Sequence, residues 1–382
     1  MTLQRSGRRL ADAPPYATRQ PPKNKHLFPQ TAMLARHRNS IKTTWVGRIL
    51  FGTASTSNKT MEQTTTTLAV PPSIACAPNT ALIRVTGEDA RHFLHGQFTQ
   101  KIENLAGRTT LAGYCSPKGR LLAVLRAWLS GDAVMLALPA EMAEGFLKRL
   151  HMYVLRSKVT FEVVDPAPAM LIAVGEEGAK TLSALGLEMP AHGVCIEKNG
   201  FTLLGIEPSQ TVPGFCAGGA RALVILPAGK TAADFGLTPA PAAWALASSI
   251  AAGIPQVLPP TRETFVPQAV NLELVDGVSF SKGCYPGQEV VSRLQHLGET
   301  NRRAAVGILS AEAAAPAGAP VYAKGEEVGK VVRAVTLGGR TLVLFSATIG
   351  SLLAGITLTP DSQPLELVEL PYRYRNVLKT SA

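Results

Sequence analysis

The chain has 382 residues, of which 46% are hydrophobic and 17% charged. This balance is typical of a globular protein with a substantial core, and the length predicts two or three domains. The formal net charge of +11 comes almost entirely from residues 1–60, which hold eleven basic side chains and one acidic one. The other 322 residues carry +1, so we expect no basic face for direct nucleic-acid binding.

The five cysteines lie far apart and form no C-x-x-C pair: Cys76, Cys115, Cys195, Cys216 and Cys284. This spacing argues against a disulfide framework, a zinc ribbon or a four-cysteine cluster, so we expect reduced thiols and no bound metal. Charge, glycine or proline interrupts every apolar run before 18 residues. We therefore expect no transmembrane helix and no membrane partner.

Residues 1–60 are basic and rich in proline, and most of this segment is predicted to be disordered. Ile41, Trp45 and Val46 fall at helical spacing within it, a pattern that organelle targeting peptides share. The alternative, which we favour, is that Met61 is the true start. The two interpretations predict a mitochondrial-matrix and a cytoplasmic location, respectively.

From Ala81 onward, short strands alternate with helices. Ala81–Val85, Ala133–Leu138 and Leu171–Val174 are apolar, and each precedes acidic residues suited to a helix N-terminus. Lys158–Val164 alternates like a half-buried strand. No glycine-rich phosphate loop follows these strands, which argues against a nucleotide-binding doubly wound sheet. The pattern favours an α+β fold with helices packed beside antiparallel sheets.

The C-terminal part has a different pattern of predicted helices and strands. Ala242–Ala252 is predicted to be a helix that ends at Gly253. After Arg303 no helical pattern is present, and the predicted strands are Val306–Leu309, Pro320–Tyr322, Val328–Val335 and Leu342–Phe345. Residues 303–382 are therefore predicted to form a small β-barrel domain. Residues 61–302 are predicted to form two subdomains that divide near 165 and 240, with the chain returning to the first.

The octapeptide Lys282–Glu289 reads Lys-Gly-Cys-Tyr-Pro-Gly-Gln-Glu. Two glycines and a proline exclude an ordinary helix or strand, so the segment is predicted to be a shaped loop. It brings together a thiol, an ammonium, a phenol, an amide and a carboxylate. Such a loop is more typical of a ligand site than of packing.

This octapeptide resembles the K-G-C-Y-x-G-Q-E signature of the YgfZ-type folate-binding proteins. Phe93–Thr99 is similar to their F-L-x-G-Q-x-T motif, and Ser116–Leu122 resembles their glycine-centred hairpin. Further matching pieces are Ala252–Pro255, Pro267–Gln268, Asn271, Arg293 and Arg302–Arg303. The resemblance spans about 80 to 375. It implies an aminomethyltransferase-like folate-binding fold with antiparallel sheets, packed helices and a C-terminal β-barrel.

The resemblance implies tetrahydrofolate or a derivative as cofactor. A buried Glu289 would accept hydrogen bonds from the pterin edge, Gln288 would add a donor and an acceptor, and Tyr285 would stack. Arg293, four residues beyond Glu289, would clamp the folate tail or pair with that carboxylate. Two further candidates each have an alternative role: Gln97 as a polar residue at a helix end, and Trp128 as a core side chain.

Cys284 is predicted to be a functional thiol, because the nearby Lys282 ammonium favours a thiolate. Such a thiol can act as a nucleophile, a redox group or a transient cluster ligand. The alternative role is that of a small buried hydrophobic residue. The residues themselves leave the two roles equally open.

The related glycine-cleavage aminomethyltransferases (T-proteins) carry an acidic pair in the strand after the hairpin. Ala123-Val124 stands there in this chain, and Lys101 replaces a usual aspartate in the F-L-x-G-Q-x-T-x-D run. A carboxylate for acid–base chemistry is therefore missing at this position. The leading hypothesis is a folate-binding accessory protein that supports iron–sulfur cluster assembly or repair in client enzymes, with an indirect effect on tRNA modification. The alternatives are a tetrahydrofolate-dependent aminomethyltransferase with relocated groups, and a folate binder without chemistry.

Overall fold

The computed structural model describes residues 68–296 and 300–374. The predictions made for residues 1–60 lie outside this range. Contacts divide the chain into a unit Met1–Thr64 and a compact unit Thr65–Ala382, and the second contains the whole described fold. Within the described ranges, no helix is long and apolar enough to cross a membrane.

The described residues form sixteen strands and six α-helices. In chain order the strands are β1 (Ile74–Cys76), β2 (Thr80–Thr86), β3 (Thr109–Cys115), β4 (Leu121–Ser130), β5 (Ala133–Pro139), β6 (Thr160–Val163), β7 (Met170–Val174), β8 (Cys195–Lys198), β9 (Phe201–Ser209), β10 (Gly219–Ile225), β11 (Arg302–Leu309), β12 (Pro320–Ala323), β13 (Glu326–Leu337), β14 (Arg340–Thr348), β15 (Ile356–Thr357) and β16 (Glu366–Val368). The α-helices are α1 (Ala90–Gln97), α2 (Ala140–His151), α3 (Gly175–Ala184), α4 (Ala242–Ala251), α5 (Gln288–His296) and α6 (Ile349–Leu352).

The strands form three sheets, and every ladder between these strands is antiparallel. The first sheet has the order β3-β4-β5-β2-β6 and carries α1 and α2. Its strand β4 is buried continuously from Leu121 to Trp128, because both faces of the sheet are covered. The predicted α+β class with antiparallel sheets is thereby confirmed.

The second sheet has the order β1-β7-β10-β9-β8 and separates two cores. Along β7, Leu171 and Ala173 pack into a core with α3, whereas Ile172 and Val174 face the main core shared with the first sheet. Successive side chains of a strand point to opposite faces, so one strand supplies both cores. Strand β7 was predicted, but β8, β9 and β10 were not.

The third sheet has the order β15-β12-β13-β14-β11-β16. The predicted C-terminal β-barrel is present as a half-barrel, in which β15 and β16 are the two edges of the sheet and each has one ladder partner. A single hydrogen bond from Leu365 N to Ile356 O, at 2.7 Å, connects the two edges. The four strands predicted here are confirmed, each extended by one to four residues at one or both ends.

Asn271 forms hydrogen bonds that connect the third sheet to the segment that precedes the octapeptide. It lies between two 3-10 helices, Pro267–Val270 and Leu272–Val275, with a left-handed φ of 60°. Its fully buried side chain donates to Ala304 O at 2.9 Å and accepts from Ala304 N at 3.3 Å. Asparagine tolerates the left-handed conformation, and here its amide also satisfies both backbone groups of a β11 residue.

We predict that Asn271→Ala lowers the free energy of unfolding by about 1–3 kcal/mol, because it removes a partner of the buried Ala304 N–H and strains the backbone, while Ala304 O keeps the hydrogen bond from Tyr374. Urea denaturation followed by circular dichroism measures this loss. Asn199 is the matched control, because it is exposed at a φ of 53° and its alanine variant loses only the conformational preference. Equal losses for the two variants would contradict the role assigned to the Asn271 amide.

Candidate functional site

The first six residues of the octapeptide, 282–287, form a loop that rests on the turn between β3 and β4, and its last two begin α5. Gly287 and Gly119 have φ values of 79° and 70°. A Cβ on Gly287 would lie 2.4 Å from Ser116 O and 2.7 Å from the Gly119 Cα. Only glycine allows this backbone-to-backbone approach, so both glycines serve to seat the loop on the hairpin.

Lys282 ties the loop to the end of α1. Its Nζ donates to His95 O at 2.5 Å and to Phe98 O at 2.8 Å. An ammonium group at this position satisfies terminal carbonyls and complements the helix dipole. Burial lowers the pKa of Lys282 to about 8, although the negative charges of Glu103 and an ionised Cys284 act in the opposite direction.

Cys284 is exposed, whereas Cys115 and Cys216 are buried and Cys76 and Cys195 are half-buried. The alternative role of Cys284 as a small buried hydrophobic residue is therefore wrong. Burial raises the pKa of the Cys115 thiol to about 12 and that of Cys195 to about 11, so both stay protonated at neutral pH. Cys284 is the accessible thiol of the described residues.

Tyr285 follows Cys284 but points inward. Its side chain is buried, and the Lys282 Nζ lies 4.9 Å from the centre of its ring, a cation–π contact. Burial raises the pKa of its hydroxyl, and within the described ranges that hydroxyl has no hydrogen-bond partner. A buried hydroxyl without a partner is costly, so Tyr285 has an unused hydrogen-bonding group.

The expected buried position of Glu289 is wrong. Gln288 and Glu289 begin α5, in which Val291 is fully buried and faces the fold. Helical residues two positions apart point in nearly opposite directions, so Glu289 and Arg293 both face solvent. These two residues share a helix side as predicted, and the described part of the chain shows no ion pair between them. Gln288 is half-buried.

Two other predicted folate residues occupy structural positions. Trp128 is 1% exposed in β4, where both faces of the sheet are covered, which is the core position given above as its alternative role. Gln97 ends α1 with a buried amide oxygen that has no partner within the described ranges. The nearby Thr99 bridges the first sheet and the octapeptide segment, donating to Gly277 O at 2.6 Å and accepting from Gly113 N at 2.7 Å.

A cavity of about 130 Å³ lies among the three sheets. Its apolar lining includes Leu111, Val124 and Ile172. None of the six residues predicted to bind folate lines this cavity. Its polar lining combines strands from all three sheets with α4 and the segment after it: Thr80 (β2), Arg126 (β4), Glu207 (β9), Arg221 (β10), Ser249 (α4), Gln256 and Arg333 (β13).

A buried ion pair lines this cavity. Arg126 Nη2 donates to Glu207 Oε2 at 2.5 Å, and His192 Nε2 lies 3.6 Å from Glu207 Oε1. Although burial acts to raise the pKa of Glu207, the charge and hydrogen bond of Arg126, together with the nearby His192 ring, hold it well below its usual range. Glu207 is therefore a fixed negative charge at neutral pH.

Two more cations line the same cavity. Arg221 donates to Glu207 O at 3.1 Å and to Ser249 Oγ at 2.7 Å, and Arg333 donates to Gln256 Oε1. Burial lowers the pKa of Arg221 and of Arg333 to about 10, so both stay charged at neutral pH. The cavity therefore offers one carboxylate, three guanidinium groups and an apolar wall.

Sequence reasoning missed this charged set because its members lie on strands far apart in the chain. Arg126 and Glu207 are 81 residues apart, and each is a single charge inside an otherwise apolar strand. A charge at such a position must find a partner, so it is a usable signal of a buried site. The identity of the residue that pairs with such a charge depends on how the sheets face each other.

Ala123-Val124, which stands where the T-proteins carry an acidic pair, lies at this cavity. Val124 lines it, and Ala123 and Val124 are 1% and 3% exposed. Lys101 is exposed. Within residues 68–296 and 300–374, no three His, Cys, Asp or Glu side chains form a group that could hold a metal ion.

Comparisons with known proteins point to one group of relatives. No protein-family model matches the chain. The tRNA-modifying protein YgfZ of Colwellia psychrerythraea is 29% identical over 248 residues, 63% of this chain and 75% of that protein. YgfZ of Edwardsiella ictaluri is 34% identical over 228 residues, 58% of this chain and 66% of that protein.

Two further matches have other names. An uncharacterized protein of Haemophilus influenzae is 29% identical over 265 residues, 68% of this chain and 82% of that protein. The crystal structure of a Bartonella henselae glycine cleavage system aminomethyltransferase T superposes with a TM-score of 0.49 at 16% identity, covering 72% of this chain and 78% of that one. On the sequence identities, the chain is a distant homologue of the tRNA-modifying protein YgfZ.

Proposed function

We propose that this chain is a folate-binding accessory protein that supports iron–sulfur cluster assembly or repair in client enzymes. The observation that carries the folate part is the ionised Glu207, which is buried beside Arg126 at the central cavity. Its relatives are named tRNA-modifying proteins, and we propose that any effect of this chain on tRNA modification is indirect. The near-neutral charge of residues 61–382 supports an indirect route.

The donor and acceptor groups of the cavity suit a reduced folate. A carboxylate accepts a pair of N–H donors such as those on a pterin edge, and Glu207 is held ionised for this role. The apolar wall suits the flat rings, and Arg221 or Arg333 would attract the anionic tail. At about 130 Å³ the cavity is below the usual 300–1,000 Å³ of ligand pockets, so it suits the ring end rather than a whole folate.

The negative charge of Glu207 argues against the alternative function, a tetrahydrofolate-dependent aminomethyltransferase. A reduced folate, when bound, supplies a one-carbon carrier, and group transfer to it needs a protein group that moves a proton. Glu207 is the relocated carboxylate that this alternative requires. Its strongly lowered pKa makes it a weak base, so it binds and orients a ligand better than it carries protons.

The exposed Cys284 is proposed as the working thiol toward client proteins. Its loop rests on Ser116, and Cys284 is exposed and does not line the cavity. The lining residue Val124 pairs with Gly113, three residues from Ser116, or roughly 10 Å at about 3.3 Å per strand residue. An exposed thiol outside the cavity suits a partner at the protein surface better than a ligand inside the cavity.

We predict that Glu207→Gln weakens tetrahydrofolate binding by about 10- to 100-fold, because the charge-assisted hydrogen bonds to the ligand are lost. Isothermal titration calorimetry under anaerobic conditions measures the affinity. Glu273→Gln is the matched control. Glu273 is also a buried carboxylate paired with an arginine, Arg303, but it does not line the cavity.

Both variants remove one partner of a buried ion pair, so both should lose stability by a similar amount. Only Glu207→Gln should lose affinity for folate. Unchanged binding by a folded Glu207→Gln protein would reject the cavity as the folate site. A folded wild type that binds no tetrahydrofolate would reject the folate part of the proposal.

We predict that Cys284→Ala leaves the melting temperature within about 1–2 °C, because the thiol is exposed. In cells that lack the protein, this variant should fail to restore the activity of iron–sulfur enzymes that the wild type restores. Cys76→Ala is the control, because Cys76 is half-buried in β1 and away from the octapeptide. If Cys284→Ala restored the activity of the iron–sulfur enzymes fully, the thiol would have no chemical role and the remaining function would be folate binding.

A further inference from the structure

A second, separate pocket of about 160 Å³ opens beside α2. Strands β3 and β4, the α2 helix and the segment around Arg262 form its walls. Its volume corresponds to about five water molecules at liquid density. It shares no lining residue with the central cavity, so its properties do not depend on the folate proposal.

Tyr114 supplies a buried donor to this pocket. Its ring is 1% exposed and packs edge-on against Phe98 and Phe146, with ring centres 5.8 and 5.6 Å away. Within the described ranges its hydroxyl has no hydrogen-bond partner. Burial raises the pKa of this hydroxyl to about 12, although Arg149 acts in the opposite direction. The hydroxyl therefore keeps its proton and can donate it.

Two guanidinium groups line the pocket beside that hydroxyl. The buried Nε of Arg149 also has no partner in the described part of the chain. Arg262 is exposed, and its Nη1 would lie 3.7 Å from a Cβ on Gly145. Because Gly145 has no side chain, the face of α2 between the two arginines stays open. One neutral donor and two cationic donors thus line the same small space.

One acidic residue, Glu141, also lines the pocket. It precedes Arg149 by eight helical residues, which places it about 12 Å away along the α2 axis. Glu141 is exposed, and among the described residues it forms no ion pair with Arg149 or Arg262. It therefore forms no ion pair that neutralises either guanidinium group.

We propose that this pocket binds a single oxyanion group, a phosphate or a carboxylate, between Tyr114, Arg149 and Arg262. Guanidinium groups match the planar geometry of such oxyanions and form charge-assisted hydrogen bonds with them. An oxyanion here would also satisfy the Tyr114 hydroxyl and the Arg149 Nε, which are otherwise buried without partners. The size of the pocket admits the anionic group of a small ligand or a free ion.

The test titrates the full chain with inorganic phosphate and, separately, with acetate. Chloride holds the ionic strength constant, and calorimetry and thermal denaturation record the response. Arg262→Gln should weaken binding by about tenfold or more, because one charge-assisted contact is lost. Tyr114→Phe should weaken binding by about threefold or more and leave stability unchanged or raised, since its hydroxyl has no partner to lose.

Arg156→Gln is the charge-matched control, because Arg156 is exposed and lies outside the pocket. It should bind like the wild type. Saturable binding of phosphate alone, of acetate alone or of both supports the proposal and identifies which oxyanion the site accepts. No saturable binding of either anion, or an equal loss in Arg156→Gln and Arg262→Gln, would overturn it.

Discussion

The constraint on which this fold depends is the burial of one strand on both faces. Strand β4 is enclosed from Leu121 to Trp128 and includes a single charge, Arg126. A lone buried cation is prohibitively costly, so Arg126 must lie against Glu207 of the second sheet. This pairing sets how the two sheets face each other. The central cavity lies at their contact, where Arg221 and Arg333 also contribute.

Much of the fold could be predicted because its elements are periodic. Strand β2 with helix α1, β5 with α2 and β7 with α3 were visible as apolar runs followed by acidic helix starts. The side of a helix on which a given residue lies was harder to predict from the sequence. Glu289 is exposed because Val291 sets the phase of α5, and that phase depends on the hairpin beneath it. The Arg126–Glu207 pair is set by the packing of sheets, which no local pattern records.

In the proposed function, the cavity binds a ligand inside the molecule and the thiol loop acts at its surface. The fixed charges and the apolar wall of the cavity suit binding better than proton transfer, since Glu207 stays ionised. Outside, Cys284 is presented to solvent by a loop whose glycines sit on the same hairpin. The hairpin β3–β4 therefore contributes to both: its strands line the cavity, and the turn between them supports the loop.

The two bonds from Lys282 to α1 have a consequence for the order in which the chain is completed. Lys282 comes 184 residues after Phe98, whose carbonyl it satisfies. At roughly 5–20 residues per second, a ribosome takes about 10 to 40 s to cover that distance. During this interval the C-terminal end of α1 lacks its partner. The strands of the first sheet are complete at Val163, but the end of α1 gains the Lys282 ammonium only when the segment bearing the thiol arrives. The capped form of this helix end therefore cannot exist in a nascent chain before the residues next to Cys284 have been made.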